Sequence, residues 1–138
     1  MHSSSASTAI FLTLAHQGYI RFEIAAALVL GANIGTTIDA ILASFGTKAN
    51  AKRAALVHTL FNVFGTVWVI LLFQPFLQLV DAVTPGSPEG GGITNHLAML
   101  HTMFNLLNTI IFFPFVNHFA RLVSWPIKDD RLQPTPLI

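Results

Sequence analysis

Two long stretches without formal charge limit what this chain can fold into. From Ala54 to Val80, and again from Gly90 to Ala120, there is no Asp, Glu, Lys or Arg. Each is longer than the roughly 20 apolar residues needed to cross a bilayer. Soluble domains carry about 25% charged residues, whereas this chain carries 9%, with 53% hydrophobic residues and a mean hydropathy of +0.64. The fold class is therefore an all-α membrane protein. Its 138 residues leave room for about four membrane segments.

The remaining composition narrows the function. A net charge of +1 excludes the basic footprint of a nucleic-acid binder. Cysteine is absent, so disulfide scaffolds and thiolate metal sites are excluded. The serine-rich start lacks the charged region of a cleavable signal. No nucleophile–base constellation and no phosphate-cradling P-loop is present, and nothing reads as an enzyme. A chain that opens at Met1-His2-Ser3, with no lead-in before its first polar motif, reads as a piece of something longer.

Taken in order, residues 1–125 form one transmembrane unit and residues 126–138 a polar, proline-rich tail expected to be disordered. Residues 3–20 are uncharged, but their apolar part is short, which predicts a re-entrant or broken helix. Residues 22–45 are apolar except for an island at Gly31–Asp39, which predicts a second, broken helix. Residues 54–80 are the clearest span, with Pro75 marking a kink or exit. Residues 93–125 form the last span, kinked or split at Pro114. The basic loop with Lys48, Lys52 and Arg53 should be cytoplasmic, and the acidic Gly/Pro loop from Asp81 to Gly92 should lie outside.

The island concentrates the polar chemistry. Asn33, Thr36, Thr37 and Asp39 bring oxygens to a depth where they are expensive to bury unpaired. Gly31 and Gly35 each weaken a helix by about 1 kcal/mol. With Ala27 they also form a small-xxx-small ridge, which could be a packing face for another helix. Packing alone requires neither the Asn33 amide nor the Asp39 carboxylate, so a solute site is preferred. Asp39 could equally be an acid near a helix end that reaches water. The serines Ser3, Ser4 and Ser5 offer similar hydroxyl chemistry, or else act as a flexible terminus or helix caps. Hydroxyls, amides and glycines of this kind bind an alkali cation through oxygen, or an anion through hydroxyls and free N–H groups. No Lys or Arg lies deep in any segment, so an anionic solute would need a co-bound cation.

An internal echo adds a second polar wall. His58-Thr-Leu-Phe-Asn62 returns as His101-Thr-Met-Phe-Asn105. On a helix, His58, Asn62, Gly65 and Thr66 share one face, as do His101, Asn105, Asn108 and Thr109. These seams should face the protein interior, and interhelical hydrogen bonding is their simplest role. His with Asn one turn on is not a transition-metal set.

The stretch Gly31-Ala-Asn-Ile-Gly-Thr-Thr37, preceded by a triple serine and followed by Lys52-Arg-Ala-Ala-Leu-Val-His-Thr-Leu-Phe-Asn62, resembles the type II sodium/phosphate cotransporter family, in particular its bacterial members. That family is built from two inverted repeats, each with a QSSS motif and a G-[AS]-N-I-G-T-[ST] motif. The resemblance runs from about Ser3 to Arg121 and implies that the chain is the second repeat half. It implies that Ser3, Ser4, Ser5, Gly31, Asn33, Gly35, Thr36 and Thr37 bind sodium and substrate. His2 stands where the family has Gln, consistent with a truncated start. Asp39 stands where a small residue is expected, and so becomes a possible coupling residue.

The implied function is sodium-coupled symport of inorganic phosphate across the cell (plasma or inner) membrane, by one half of an inverted-repeat transporter. Na+ is the coupling ion and no other cofactor is implied. Besides phosphate, Na+ and the lipid bilayer, the expected partner is the missing repeat half or a second copy of the chain, and no nucleic acid. Two alternatives stand beside it. One is a non-transporting helical assembly protein that uses Gly31, Gly35 and the seams for helix contacts. The other is a transporter of the same architecture for another anion, or one coupled to protons through Asp39.

Overall fold

The computed structural model describes the backbone of residues 3–128 and side chains from Ala6 onward. The described residues form six α-helices: α1 (Ser3–His16), α2 (Phe22–Ser44), α3 (Ala49–Leu71), α4 (Phe73–Val83), α5 (Ile93–Phe112) and α6 (Val116–Ser124). Three helical stretches are long and apolar enough to span a membrane: Phe22–Ser44, Ala49–Leu71 and Gly90–Ser124. A shorter apolar helix, Ala6–His16, precedes them. All-α architecture with about four membrane segments is what the charge pattern predicts.

The boundaries follow local chemistry. α1 has 14 residues, about 21 Å at 1.5 Å per residue, too short to cross the roughly 30 Å hydrocarbon core. It ends in a paired cap: Tyr19 N–H donates to Leu14 O at 2.9 Å and Gly18 N–H to Ala15 O at 3.1 Å. That closure needs a left-handed residue, and Gly18 sits at φ +80°. The chain then reverses into α2, which packs along α1 and α3.

Three expectations are corrected. The helix predicted to break at the island is continuous from Phe22 to Ser44. Two isolated glycines are a small penalty in a helix of 23 residues held on two sides. The island hydroxyls reinforce the helix: Thr36 Oγ1 donates to Asn33 O at 2.8 Å and Thr37 Oγ1 to Ile34 O at 2.7 Å. The span expected over residues 54–80 starts earlier and is divided. Lys52 and Arg53 lie within α3, which stops at Leu71, and α4 restarts at Phe73. Pro75 explains the division, since its ring would collide with the carbonyl of Leu71 in a continuous helix, yet is tolerated in the first turn of a new one. Finally, Asp81 to Val83 belong to α4, not to the loop that follows it. Pro114 acts as expected, with one turn of 3-10 helix at Phe113–Phe115 between α5 and α6.

Two polar clusters join the helices of the bundle. Asn108, fully buried on α5, donates from Nδ2 to Phe61 O at 2.8 Å and accepts from Trp68 Nε1 at 3.2 Å. Both partners lie on α3. At one end, His96 is also fully buried, with Nδ1 2.8 Å from Gly92 O and Nε2 2.9 Å from Asp81 Oδ1. A carbonyl only accepts, so the Nδ1 contact is an N–H donating to Gly92 O. The Asp81–His96 bridge joins α4 to α5, and the ring packs edge-on against Phe22 of α2. At the opposite end Arg53 donates twice to Ile127 O, at 3.1 and 2.7 Å. The basic segment and the start of the tail therefore share one side. The tail beyond Lys128 lies outside the described residues.

The α3–α5 crossing depends on a missing side chain. A Cβ on Gly65 would come within 2.7 Å of Asn108 Cγ and 2.8 Å of Phe104 Cζ. Gly65→Ala should therefore destabilise the fold by about 1–3 kcal/mol through overpacking. Thermal unfolding in detergent, followed by circular dichroism, should show a clearly lowered midpoint.

Candidate functional site

A cavity of about 900 Å³ lies between α1, α2, α3 and α5. Thr8 faces it from α1, and Asn33 and Thr36 from α2. The third wall carries His58, Phe61 and Asn62 of α3. The fourth carries His101, Asn105 and Thr109 of α5, with Thr94 nearer the helix start. Asn33 and Thr36 lie about 17–21 Å along α2 from Phe22, which is near mid-depth for a spanning helix.

The two sequence seams thus meet the island at one place, but not in the way the simplest reading implies. Among the described residues, neither the His58 nor the His101 ring makes a hydrogen bond to another helix. Each Asn bonds within its own helix: Asn62 Nδ2 to His58 O at 3.0 Å, and Asn105 Nδ2 to His101 O at 2.9 Å. The interhelical role falls to Asn108, which leaves the seam of His101 and Asn105 and turns toward α3. Thr59 and Thr102 repeat the symmetry by donating to Ala55 O and Ala98 O, each at 3.0 Å.

The α2 wall is incompletely satisfied. Asn33 Nδ2 is buried without a hydrogen-bond partner among the described residues. An unpaired buried amide costs about 1–3 kcal/mol, so the position suits a ligand that brings an acceptor. Thr36 has already committed its hydrogen to Asn33 O and presents only lone pairs. Thr66 Oγ1 is also buried and unpaired, one turn beyond Asn62 on α3.

The remaining candidate residues lie elsewhere. Gly31, Gly35 and Asp39 are exposed on another face of α2, and a Cβ on either glycine would meet nothing within 4 Å. Among the described residues, no helix packs on the Ala27–Gly31–Gly35 ridge. Thr37 is buried and bonded to its own helix. Ser3, Ser4 and Ser5 open α1, but their side chains lie outside the described residues, as does His2. Thr8 belongs to the hydroxyl-rich start and Thr94 follows the glycine run 90–92; neither was singled out as a site residue, and only the tertiary arrangement places them on the cavity. Among the described residues, no group of three His, Cys, Asp or Glu could hold one metal ion. The cavity lining includes no Lys, Arg, Asp or Glu.

The pattern of the Na+/Pi-cotransporter family matches residues 1–80, more than half the chain, and the protein belongs to that family. YqeW of Bacillus subtilis (strain 168), an uncharacterized protein, is 35% identical over 89% of this chain. A protein of Escherichia coli (strain K12) provisionally named for inorganic phosphate export, YjbB, is 33% identical over 94% of it. Sodium-dependent phosphate transport protein 2B of Bos taurus is 30% identical over the whole chain. The matches cover 38%, 23% and 20% of those proteins respectively, so this chain spans well under half the length of each. No solved structure matches it. Three span-capable helices and membership of a transport family define a multi-pass protein of the cell membrane.

The open glycine face has a measurable consequence. Gly31→Ala and Gly35→Ala should each stabilise the chain taken alone, by about 0.5–1 kcal/mol, since helix propensity improves and nothing is struck. Denaturant unfolding of the two variants in detergent checks this. A loss of stability at either position would show that another surface already packs there.

Proposed function

We propose that this chain is part of a sodium-coupled transporter of inorganic phosphate, with the cavity between α1, α2, α3 and α5 as one wall of the solute path. The observation that carries this reading is the convergence of Asn33 and Thr36, from the Gly31–Thr37 motif, with two polar seams on one mid-depth cavity. The unpaired Asn33 amide is a donor suited to a phosphate oxygen. With no basic side chain in the lining, a bound anion needs a nearby cation, and the lone pairs of Thr36 and the seam oxygens suit one. Family membership and the names of the relatives support phosphate as the substrate and sodium as the coupling ion.

The outward glycine face of α2 fits the same reading. In a longer assembly it is the surface on which the opposing half, or a second copy, would close the path. Ser3, Ser4 and Ser5 would contribute hydroxyls from α1, and Asp39 would lie beside that contact rather than in the cavity.

Sodium dependence is tested with radiolabelled phosphate in membrane vesicles from cells expressing the protein. Replacing sodium with choline should reduce phosphate movement at least about tenfold, and Asn33→Leu or Thr36→Ala should have a similar effect. The Asn33→Leu protein should nevertheless unfold at a higher temperature than the parent, because it removes an unpaired buried donor. Sodium-independent movement would defeat the coupling, and variants with parental transport would defeat the site. Loading vesicles on either side determines direction, inward for symport and outward for a role like that for which YjbB is named. A protein that moves no phosphate in either direction, but forms stable oligomers through α2, would be an assembly component.

A further inference from the structure

The last membrane stretch ends in an arginine that the fold leaves facing outward. At 1.5 Å per residue, the 35-residue stretch Gly90–Ser124 runs about 52 Å, against about 30 Å of hydrocarbon. Its final turns therefore reach a headgroup layer. Arg53 fixes which one. Its guanidinium donates to Ile127 O at 2.7 and 3.1 Å, so the end of α6 lies level with the basic start of α3.

Helix α6 has two unlike sides. Phe119 stacks on Phe112 with ring centroids 4.6 Å apart, and Val123 is buried, which seats that side on its neighbours in the bundle. Asn117, Arg121 and Trp125 recur every fourth residue and so form one stripe, and all three are exposed. Trp125 N–H donates to Arg121 O at 3.2 Å, which carries the helical turn through the stripe. The Trp125 ring is left 84% exposed.

A guanidinium at the edge of the hydrocarbon is costly unless something accepts its hydrogens. Among the described residues, no carboxylate or carbonyl does so for Arg121. Of the described acidic residues, Glu23, Asp81 and Glu89 belong to the opposite side, and Asp39 lies on the open face of α2. The sequence continues past Lys128 with Asp129 and Asp130, so Lys128 is balanced along the chain and Arg121 carries the charge of the stripe. Arg121 sits about 5 Å along the axis from the end of α6 at Ser124, within reach of the headgroups for its long stem. Its planar fork matches a phosphate, and a neighbouring tryptophan is the side chain suited to that depth.

We propose that Arg121, with Trp125 beside it, binds the headgroup phosphate of an anionic phospholipid in the leaflet on the basic side. A zwitterionic lipid brings its own cation to the phosphate and competes poorly for the guanidinium. The site is separate from the cavity and does not depend on the transport reading.

Trp125 also reports on the site. The purified chain is placed in phosphatidylcholine nanodiscs containing a minority of lipid brominated high on its acyl chains, either phosphatidylglycerol or phosphatidylcholine. Quenching of tryptophan fluorescence measures which lipid lies against Trp125, and a Trp125→Phe protein supplies the Trp68 background. The brominated phosphatidylglycerol should be enriched about fivefold over brominated phosphatidylcholine, and Arg121→Gln should bring that ratio close to one. Lys48→Gln removes a charge from the same side of the membrane and should leave the ratio as in the parent. Equal quenching by the two lipids in the parent would overturn the site without any variant. So would a parental ratio in an Arg121→Gln protein whose circular dichroism is unchanged, or an equal loss in Lys48→Gln, which would reduce the effect to diffuse surface charge. Millimolar inorganic phosphate should not displace the lipid; displacement would assign Arg121 to a soluble anion instead.

Discussion

A polar group within the hydrocarbon must find its partner inside the protein, and the rest of this structure depends on how that constraint is met. Most hydroxyls meet it locally. Thr13, Thr37, Thr59, Thr84 and Thr102 all donate to a carbonyl three or four residues earlier on their own helix. Such bonds make a polar side chain nearly neutral toward its surroundings, so the outer faces of the helices remain compatible with lipid. They also leave few groups able to link one helix to another. Asn108, with both ends of its amide used across the α3–α5 crossing, is one, and the absence of a side chain at Gly65 makes room for it.

The cavity is where local satisfaction stops. Its α2 wall holds the Asn33 amide donor, buried without an acceptor among the described residues. A fold stabilised only for its own sake would place leucine at Asn33, which would remove the penalty and improve the helix. The structure keeps the amide, and the same stretch lies within the residues that match the Na+/Pi-cotransporter family. Helix α2 therefore has two distinct faces. One is polar and turned inward to the cavity, and the other is a glycine ridge on which no described residue packs.

Much of this could be read from the residues. Charge-free stretches located the spans, and Pro114 split the last one where its missing N–H required. Pro75 was also visible, but its effect was placed one turn too late, because the clash falls on the carbonyl four residues before it. The island was misjudged in backbone and not in composition. Its glycines suggested unwinding, yet packing on two sides kept α2 continuous. The echo of His58–Asn62 and His101–Asn105 was plain, while its meaning was not. Whether a seam residue turns to its own helix or to a neighbour depends on the rotation of that neighbour, which no periodicity encodes. The Asp81–His96 bridge was hidden for the same reason, since one partner appeared to lie in a loop and the other was one more histidine on an apolar helix.

The sequence by itself determined that the chain is helical, that it lies in a membrane, and which few polar residues lie deep. Those properties follow from charge, hydropathy and the rigid demands of proline, all of which act within a turn or two of the backbone. Only the tertiary structure decided that Asn33 and Thr36 face the same space as Asn62 and Asn105, and that Gly31, Gly35 and Asp39 face away from it. A helix presents every side of itself to the sequence equally. The neighbours it packs against select which side becomes a site.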